Sequence, residues 1–328
     1  MTNTDVAQLV SVALYSPVPE ESVAFFHDLL GMEVGHREGQ SVYLRAYEDF
    51  YQYTLKITER KEPGLEEITW RAASRDALER RVKAIEASGC GEGWRERDYA
   101  HGPAYAFRSP DGHRMKVLWE LDYFKAPDDL RSKLRNRPSK RPLRGVPVRR
   151  IDHVNVMVSD VARNRQFLMD VLTFRLREQK IGEGGIEVGA WLSVNAMVHD
   201  IAVMRDATGS RGRFHHIAYW YGAQQHLLDI ADVFSERDVR IEAGPAKHGV
   251  TQGYFLYCFE PGGNRVELFG DTGYLIFDPD WQTVVWNVAN EVDLEKSSIW
   301  FGSPLAKSFY RYGTPIVPGA SLEEIAAS

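Results

Sequence analysis

The sequence predicts an α+β fold of four β-α-β-β-β modules paired into two barrel-like domains. Three observations point to it. First, FFHDLLGMEV (25–34) matches FLMDVLTFRL (167–176), with Phe25 on Phe167, Asp28 on Asp170 and Leu30 on Leu172, at a constant offset of 142. Second, HGPAYAFRSPDGHRMKVLWE (101–120) and HGVTQGYFLYCFEPGGNRVELFG (248–270) both open on His-Gly and run through aromatic residues into Pro-x-Gly-x-Arg. Third, apolar residues alternate in the strand-like stretches and follow helical spacing between them.

The elements follow in order. The offset sets LVSVALYS (9–16) on IDHVNVMV (151–158), so each half opens on a strand. In the helix after each, the Phe and the aliphatic residue four positions later share a face, as core contacts require. Gly31 is placed to end the first helix. Residues 67–120 then give the strand ITWRAAS, the helix DALERRVKAIEASG and the HGP…PDGHR strands. Residues 214–270 give FHHIAYW, QHLLDIADVFSERDV and the HGV…PGGNR strands. A unit of about fifty residues is too small to bury its sheet alone, so two units are expected to pair around a shared cavity. The expected organisation is a first domain at 1–130 without metal, a basic linker at 131–148, a metal-binding domain at 149–271 and an aromatic-rich tail at 272–328.

At 328 residues the chain is long enough for two domains, and its 44% hydrophobic content suits a soluble globular protein. A net charge of −6 argues against nucleic acid as a partner. No apolar run reaches the length of a membrane span, and no leader segment is expected. Cys90 and Cys258 stand in no metal or redox spacing, which points to a reducing cytoplasm. The stretch 131–150 holds nine Lys/Arg and no acid. Its three prolines and one glycine forbid a long helix, and it falls where the repeat restarts. We read it as a solvated connector rather than a polyanion-binding arm.

The repeat then serves as an internal control for chemistry. In IDHVNVMV, alternation puts His153, Asn155 and Met157 on the cavity face and the valines on the core face. In FHHIAYW the matching register selects His216, and His215 faces away. In NRVELFG, Val266 and Leu268 take the core face and Glu267 looks inward. The first-half counterparts are expected to be Ser11, Thr69 and Lys116, none of which suits a cation. Two histidines and one carboxylate on one face leave coordination positions open, as in non-haem Fe(II) oxygenases, although the same set also suits Zn, Mn or Ni. His199 in NAMVHDIAV, read as lying on a strand of the third unit, His248 in a Gly-rich turn and Tyr257 on the strand after it lie where proton transfer beside such a metal would need them. His27, His36, His101, His113 and His226 have no such context and read as surface or structural.

On these motifs the sequence resembles the extradiol ring-cleaving dioxygenases of the vicinal oxygen chelate superfamily, and most of all the catechol 2,3-dioxygenase group. The signature is HGVTQGYFLYCFEPGGNRVE, with IDHVNV and FHHIAYW supplying the other elements. The resemblance spans residues 9 to 280 and implies the vicinal oxygen chelate fold. It implies His153, His216 and Glu267 as ligands of Fe(II), ahead of Mn(II). It implies His199, His248 and Tyr257 as catalytic residues beside them, with Asn155 near the site. It implies O2 as co-substrate and opening of a catechol ring beside the diol, to a 2-hydroxymuconic semialdehyde type product. A homo-oligomer is expected, a tetramer foremost. Two alternatives stand beside this reading: a metal-dependent isomerase or lyase of the glyoxalase kind, and a non-enzymatic binding protein on the same fold.

Two expectations concern the pocket. The tail aromatics, among them Tyr274, Trp286, Trp300, Phe309 and Tyr310, suggest a cap over the site or a subunit contact. The turn IEAGPAKHG offers Glu242 and no arginine, and Trp191 and Leu192 suggest an apolar wall. Catechol and its small neutral relatives are therefore expected over carboxylated ones such as homoprotocatechuate, unless Arg211 or Arg213 folds in.

Overall fold

Each half of the chain opens on a strand that later joins its two units. The computed structural model describes residues 4–271 and 273–328; residues 1–3 and 272, the opening positions of the expected first domain and tail, lie outside the described residues. The first unit is β1 (Val6–Ser16), α1 (Pro19–Ala24), β2 (Glu33–Glu38), β3 (Ser41–Arg45) and β4 (Leu55–Glu59). The second is β5 (Gly64–Ala72), α2 (Arg75–Ala87), β6 (Gly91–Arg95), β7 (Ala104–Arg108) and β8 (Arg114–Leu118). The third is β9 (Arg150–Val158), α3 (Val161–Leu172), β10 (Arg175–Ile181), β11 (Glu187–Ser193) and β12 (Ile201–Arg205). The fourth is β13 (Arg213–Trp220), α4 (Gln225–Glu236), β14 (Ile241–Lys247), β15 (Tyr254–Phe259) and β16 (Arg265–Phe269). The tail adds β17 (Val284–Asn287), α5 (Glu291–Ser298), α6 (Lys307–Arg311) and α7 (Leu322–Ala326).

The eight-stranded sheet runs β2-β3-β4-β1-β5-β8-β7-β6, and the nine-stranded sheet β14-β15-β16-β13-β9-β12-β11-β10-β17. Within each, the two units meet along their antiparallel first strands, β1 on β5 and β9 on β13. Every unit's last strand lies parallel to its first. The tail strand β17 pairs in parallel with β10 and extends the second sheet.

Side-chain caps start α2 and α3: Ser74 accepts from the Ala77 N–H, and Asp160 from the Arg163 N–H. The first helix is shorter than its periodicity suggests, because α1 gives way to one π-helical turn at Phe25–Leu29. Gly31 follows at φ +64, and a Cβ there would come within 2.6 Å of Pro147. One apolar cluster runs through both halves. Phe25 stacks on Phe234 at 5.8 Å and Trp70 meets Phe174 edge-on at 5.0 Å, so the halves are fastened by large buried rings. Each such ring contributes roughly 1.5–3 kcal/mol on burial.

The basic stretch is a connector, but a pinned one. Val146 and Val148 are buried, and their N–H groups donate to the carbonyls of Leu29 and Leu30. Arg144 pairs with Glu33, while Arg137 and Arg149 share Glu48. These three charges are spent within the chain, while Arg131, Lys133, Arg135, Lys140 and Arg141 are exposed, as a solvated connector would have them.

Candidate metal centre

The site is built where two strands break register. Along β9 and β13, Phe214 faces Val156 and His216 faces Asn155, so His215 is an extra residue on β13. Further on, Ile217 faces Val154 and Tyr219 faces Ile151, which leaves the extra residue on β9, at Asp152 and His153. A bulge re-aims a side chain that strict alternation would fix, and here each of the two bulges adjoins one histidine of the predicted set. Glu267 comes from the middle of β16, between buried Val266 and Leu268, directly opposite Tyr257 of β15.

The three side chains converge. His153 Nε2 lies 2.8 Å and His216 Nε2 3.0 Å from Glu267 Oε2, and the two nitrogens are 3.3 Å apart. Among the described residues this is the one group of His, Cys, Asp or Glu able to hold a metal ion. The histidine tautomers suit that role. His153 Nδ1 donates to Asp152 Oδ1 at 2.9 Å, so Nε2 is the nitrogen turned to Glu267 and offered to a metal. His215 Nε2 donates to the Phe309 carbonyl at 2.7 Å, and burial pushes its pKa well down, so its Nδ1 is bare. His216 Nδ1, 2.6 Å away, is therefore the donor to it, and His216 Nε2 also presents a lone pair. Despite burial, His153 above all, with His216, holds Glu267 well below the usual carboxylate range, so it stays anionic; against the cost of burial, Glu267 and Asp152 in turn raise the His153 pKa to about 9, so a metal binds there by displacing the Nε2 proton. Two imidazole lone pairs and one carboxylate, all buried, are a donor set that fits a divalent cation.

These ligands line a cavity of about 340 Å³ together with Asn155, Trp191, His199, His248 and Tyr257. His199 stands in the turn that precedes β12, and not on a strand as expected. Its ring lies 3.9 Å from that of His153, its Nδ1 is buried without a partner, and burial with the neighbouring His153 drives its pKa well down. Asn155 Oδ1 is likewise buried and unpartnered. His248 follows β14, stacks on Phe255 at 3.8 Å and donates from Nδ1 to the Ser298 carbonyl at 2.6 Å. Its Nε2 accepts from the Tyr257 hydroxyl at 3.1 Å. Burial pushes the His248 pKa down to about 4 and the Tyr257 pKa well up, so both groups are neutral near pH 7.

The register corrects one first-half counterpart. On β1 and β5, Ser11 faces Thr69 and Ala13 faces Glu67, with extra residues at Val10 and Glu66. These bulges repeat those at Asp152 and His215, so Glu67, not Thr69, stands where His216 stands, and Thr69 matches Ala218. The Ile that opens both ITW and IAY was the signal for this alignment. Lys116 does occupy the Glu267 position. It is buried, with its ammonium 3.2 Å from Glu67 and 2.9 Å from Asp98. A tethered cation fills the first-half site. His101 and His113 are buried and structural: His101 meets the Tyr53 hydroxyl, and His113 Nε2 donates to the Arg213 carbonyl of the other half.

Other expectations about the pocket shift as well. Glu242 does not face the cavity; it is buried in a two-point pair with Arg265 and accepts from Ser308. Arg213 is tied to Asp206 and Arg211 to the Pro110 carbonyl, and neither lines the cavity. Trp191 does line it, whereas Leu192 is core. Lys180 and Arg205 line it too, and no sequence motif marked either. The tail reaches the cavity through Val288, Leu294, Ser298, Leu305, Phe309 and Tyr310.

Fold and site together define a metal-binding protein made of paired βαβββ units. The chain belongs to the Glyoxalase/Bleomycin resistance protein/Dioxygenase superfamily, which matches it at residues 8–117 and 150–268. It is 51% identical over 312 residues to a metapyrocatechase of Geobacillus stearothermophilus, covering 95% of this chain and 94% of that one. A manganese-dependent 2,3-dihydroxybiphenyl 1,2-dioxygenase of Geobacillus genomosp. 3 is 37% identical, over 91% of this chain and 94% of its own. Among solved structures, the homoprotocatechuate 2,3-dioxygenase of Brevibacterium fuscum, in complex with 3,4-dihydroxyphenylacetate, superposes with a TM-score of 0.82 at 25% identity. That match covers 95% of this chain and 93% of the other.

Proposed function

We propose that this protein is an extradiol dioxygenase that opens catechol, and small neutral substituted catechols, beside the diol with O2. The observation that carries the reading is the buried His153–His216–Glu267 set lining a cavity sized for a small aromatic ring. The three residues would hold Fe(II), which when bound supplies a chelation point for both catechol oxygens and a path for electrons from the ring to O2. The name of the second relative makes Mn(II) the alternative to be tested. Catalysis is assigned to 149–271 and capping to 272–328, with 1–130 as the metal-free partner domain.

The remaining roles belong to the protein's own groups. His248 Nε2 is the bare nitrogen on the cavity wall, fixed in that tautomer by the Ser298 carbonyl, and it takes a proton from a catechol hydroxyl. Tyr257, kept protonated by burial, then donates to the catechol oxygen in place of His248. His199, neutral and unpartnered at Nδ1, holds or returns a proton on the O2 side. Trp191 packs against the ring, and Asn155 Oδ1 accepts from a catechol hydroxyl or from bound water. Phe309, Leu305 and Leu294 of the tail keep bulk water out.

Free Cys90 and Cys258 accord with a cytoplasmic enzyme, and no helix among the described residues is long and apolar enough to cross a membrane. Exposed Phe277, Trp300 and Phe301 on the tail favour a homo-oligomer, for which a tetramer is our assignment, tested by light scattering. The activity test is oxygen uptake with catechol by Fe(II)-loaded protein, with a yellow ring-opened product in equal amount. No uptake with Fe(II) or Mn(II) would overturn the reading, and activity with Zn(II) alone would favour the isomerase.

A further inference from the structure

Away from the ligand set, the cavity wall contains a basic polar group with nothing in the mechanism to do. Lys180 of β10 lines the cavity and is partly buried, with its ammonium 5.5 Å from the centre of the Trp191 ring. It donates to Ser298 Oγ at 2.9 Å, and Tyr310 donates to the same oxygen at 3.3 Å. All four residues line the cavity.

An ammonium has three donors, and one hydrogen bond to a hydroxyl uses one of them. No carboxylate among the described residues lies within ion-pair distance of Lys180. Glu178, two residues earlier on β10, is already engaged: it accepts from the Thr251 N–H, the Tyr274 hydroxyl and the Trp286 indole. The Ser298 hydroxyl accepts twice, which leaves its own hydrogen to donate. The charges lining the cavity point the same way. Lys180 and Arg205 are basic, and the lone carboxylate is Glu267, which is committed to the metal set. Nothing anionic on the wall opposes an incoming anion, since Glu242 is turned to Arg265.

We propose that Lys180, Ser298 and Tyr310 form a substituent subsite that accepts a catechol whose ring side chain ends in a carboxylate or another hydrogen-bond acceptor. This rests on the ring-cleavage reading and extends its substrate range beyond neutral catechols. Lys180 supplies charge, Ser298 a hydroxyl donor, and Trp191 an apolar face along which the side chain lies. Burial lowers the Lys180 pKa to about 8, so the ammonium is charged at neutral pH and gains more from an anion than an exposed lysine would.

The test compares kcat/KM for 3,4-dihydroxyphenylacetate and 4-methylcatechol in the Fe(II)-loaded wild type, Lys180→Met and Lys180→Arg. The ratio of carboxylated to methylated substrate is expected to fall at least tenfold in Lys180→Met and to stay within threefold of wild type in Lys180→Arg. A Lys180→Met ratio within twofold of wild type overturns the subsite. In case Lys180→Met does not fold, competitive inhibition of the wild type supplies a second measurement. 4-Hydroxyphenylacetate is expected to inhibit at least tenfold more tightly than 4-methylphenol, and equal inhibition overturns the proposal. A wild type that opens no catechol at all would sink the ring-cleavage reading instead, and the two failures are thereby distinct.

Discussion

His248 Nδ1 rests 2.6 Å from the carbonyl oxygen of Ser298, a residue fifty positions later in the chain. The Phe309 carbonyl plays the matching part for His215, and through it for His216. Two backbone oxygens of the tail thus set the tautomers of His248 on the cavity wall and of His216 in the proposed metal set. Removing residues 289–328 should lower turnover at least tenfold and weaken metal retention together. A folded truncated protein with unchanged kcat/KM and metal content would refute this link.

His215 points away from the cavity, yet its loss should be felt at the metal. Removing such an outer partner of a ligand typically costs about 10–100-fold in metal affinity. His215→Ala is expected in that range, measured by competition with a chelator. His153→Ala and Glu267→Ala should lose the metal outright. Equal affinity in His215→Ala and wild type would mean that the relay from Phe309 does not act.

Tyr257→Phe and His199→Phe should keep the metal and lower kcat, since acid–base help is worth about 10²–10⁴-fold. Metal analysis beside single-turnover kinetics separates the two effects. Metal loss in step with activity would move these residues into the ligand set.

The buried Lys116 should matter to stability and not to metal. Breaking a buried pair by removing one partner costs about 3–5 kcal/mol. Asp98 is half exposed, so Lys116→Met is expected nearer the low end, read as a drop in urea midpoint. Metal stoichiometry should not change. A rise in stability would mean that Glu67 and Asp98 need no cation.

Lys180 should leave a mark on stability against pH. Its pKa is about 8 in the folded protein against the ordinary 10.5, so the unfolded chain binds the proton more tightly. The penalty is full below about pH 8 and fades as pH rises towards 10.5, so stability rises across that window. Lys180→Met should flatten this rise and add roughly 1–2 kcal/mol at pH 7, after allowance for the water that still reaches the ammonium. Parallel stability curves for the two proteins would contradict the shift.

Much of this was legible in the sequence because the chain repeats itself. The 142-residue offset and the two His-Gly stretches exposed all four units, and alternation along IDHVNVMV and NRVELFG placed His153 and Glu267. The misreading of Thr69 has a physical cause: β5 carries an extra residue at Glu66, and a bulge advances the count by one without any change in composition. His199 reads as a strand residue because apolar residues flank His199-Asp200 on both sides in NAMVHDIAV, although the chain turns there before β12. Lys180 and Arg205 were invisible for another reason. Which long polar side chain bends into a cavity depends on strands brought together by the second sheet and on a tail that shares no period with the repeat.

The lysine in the first-half site also explains why one duplicate suffices for chemistry. In the first half, part-buried Glu67 and exposed Asp98 share one ammonium, whereas on the proposed reading the second half sets a metal ion beside its carboxylate. The Lys116 nitrogen has four filled bonds and no empty orbital. It neutralises Glu67 and Asp98 permanently, needs no supply of metal and survives any chelator, but it offers no vacancy to an oxygen atom. An ion held through the lone pairs of His153 and His216, as proposed for the second half, gives up that permanence and in return has valences left over for guests.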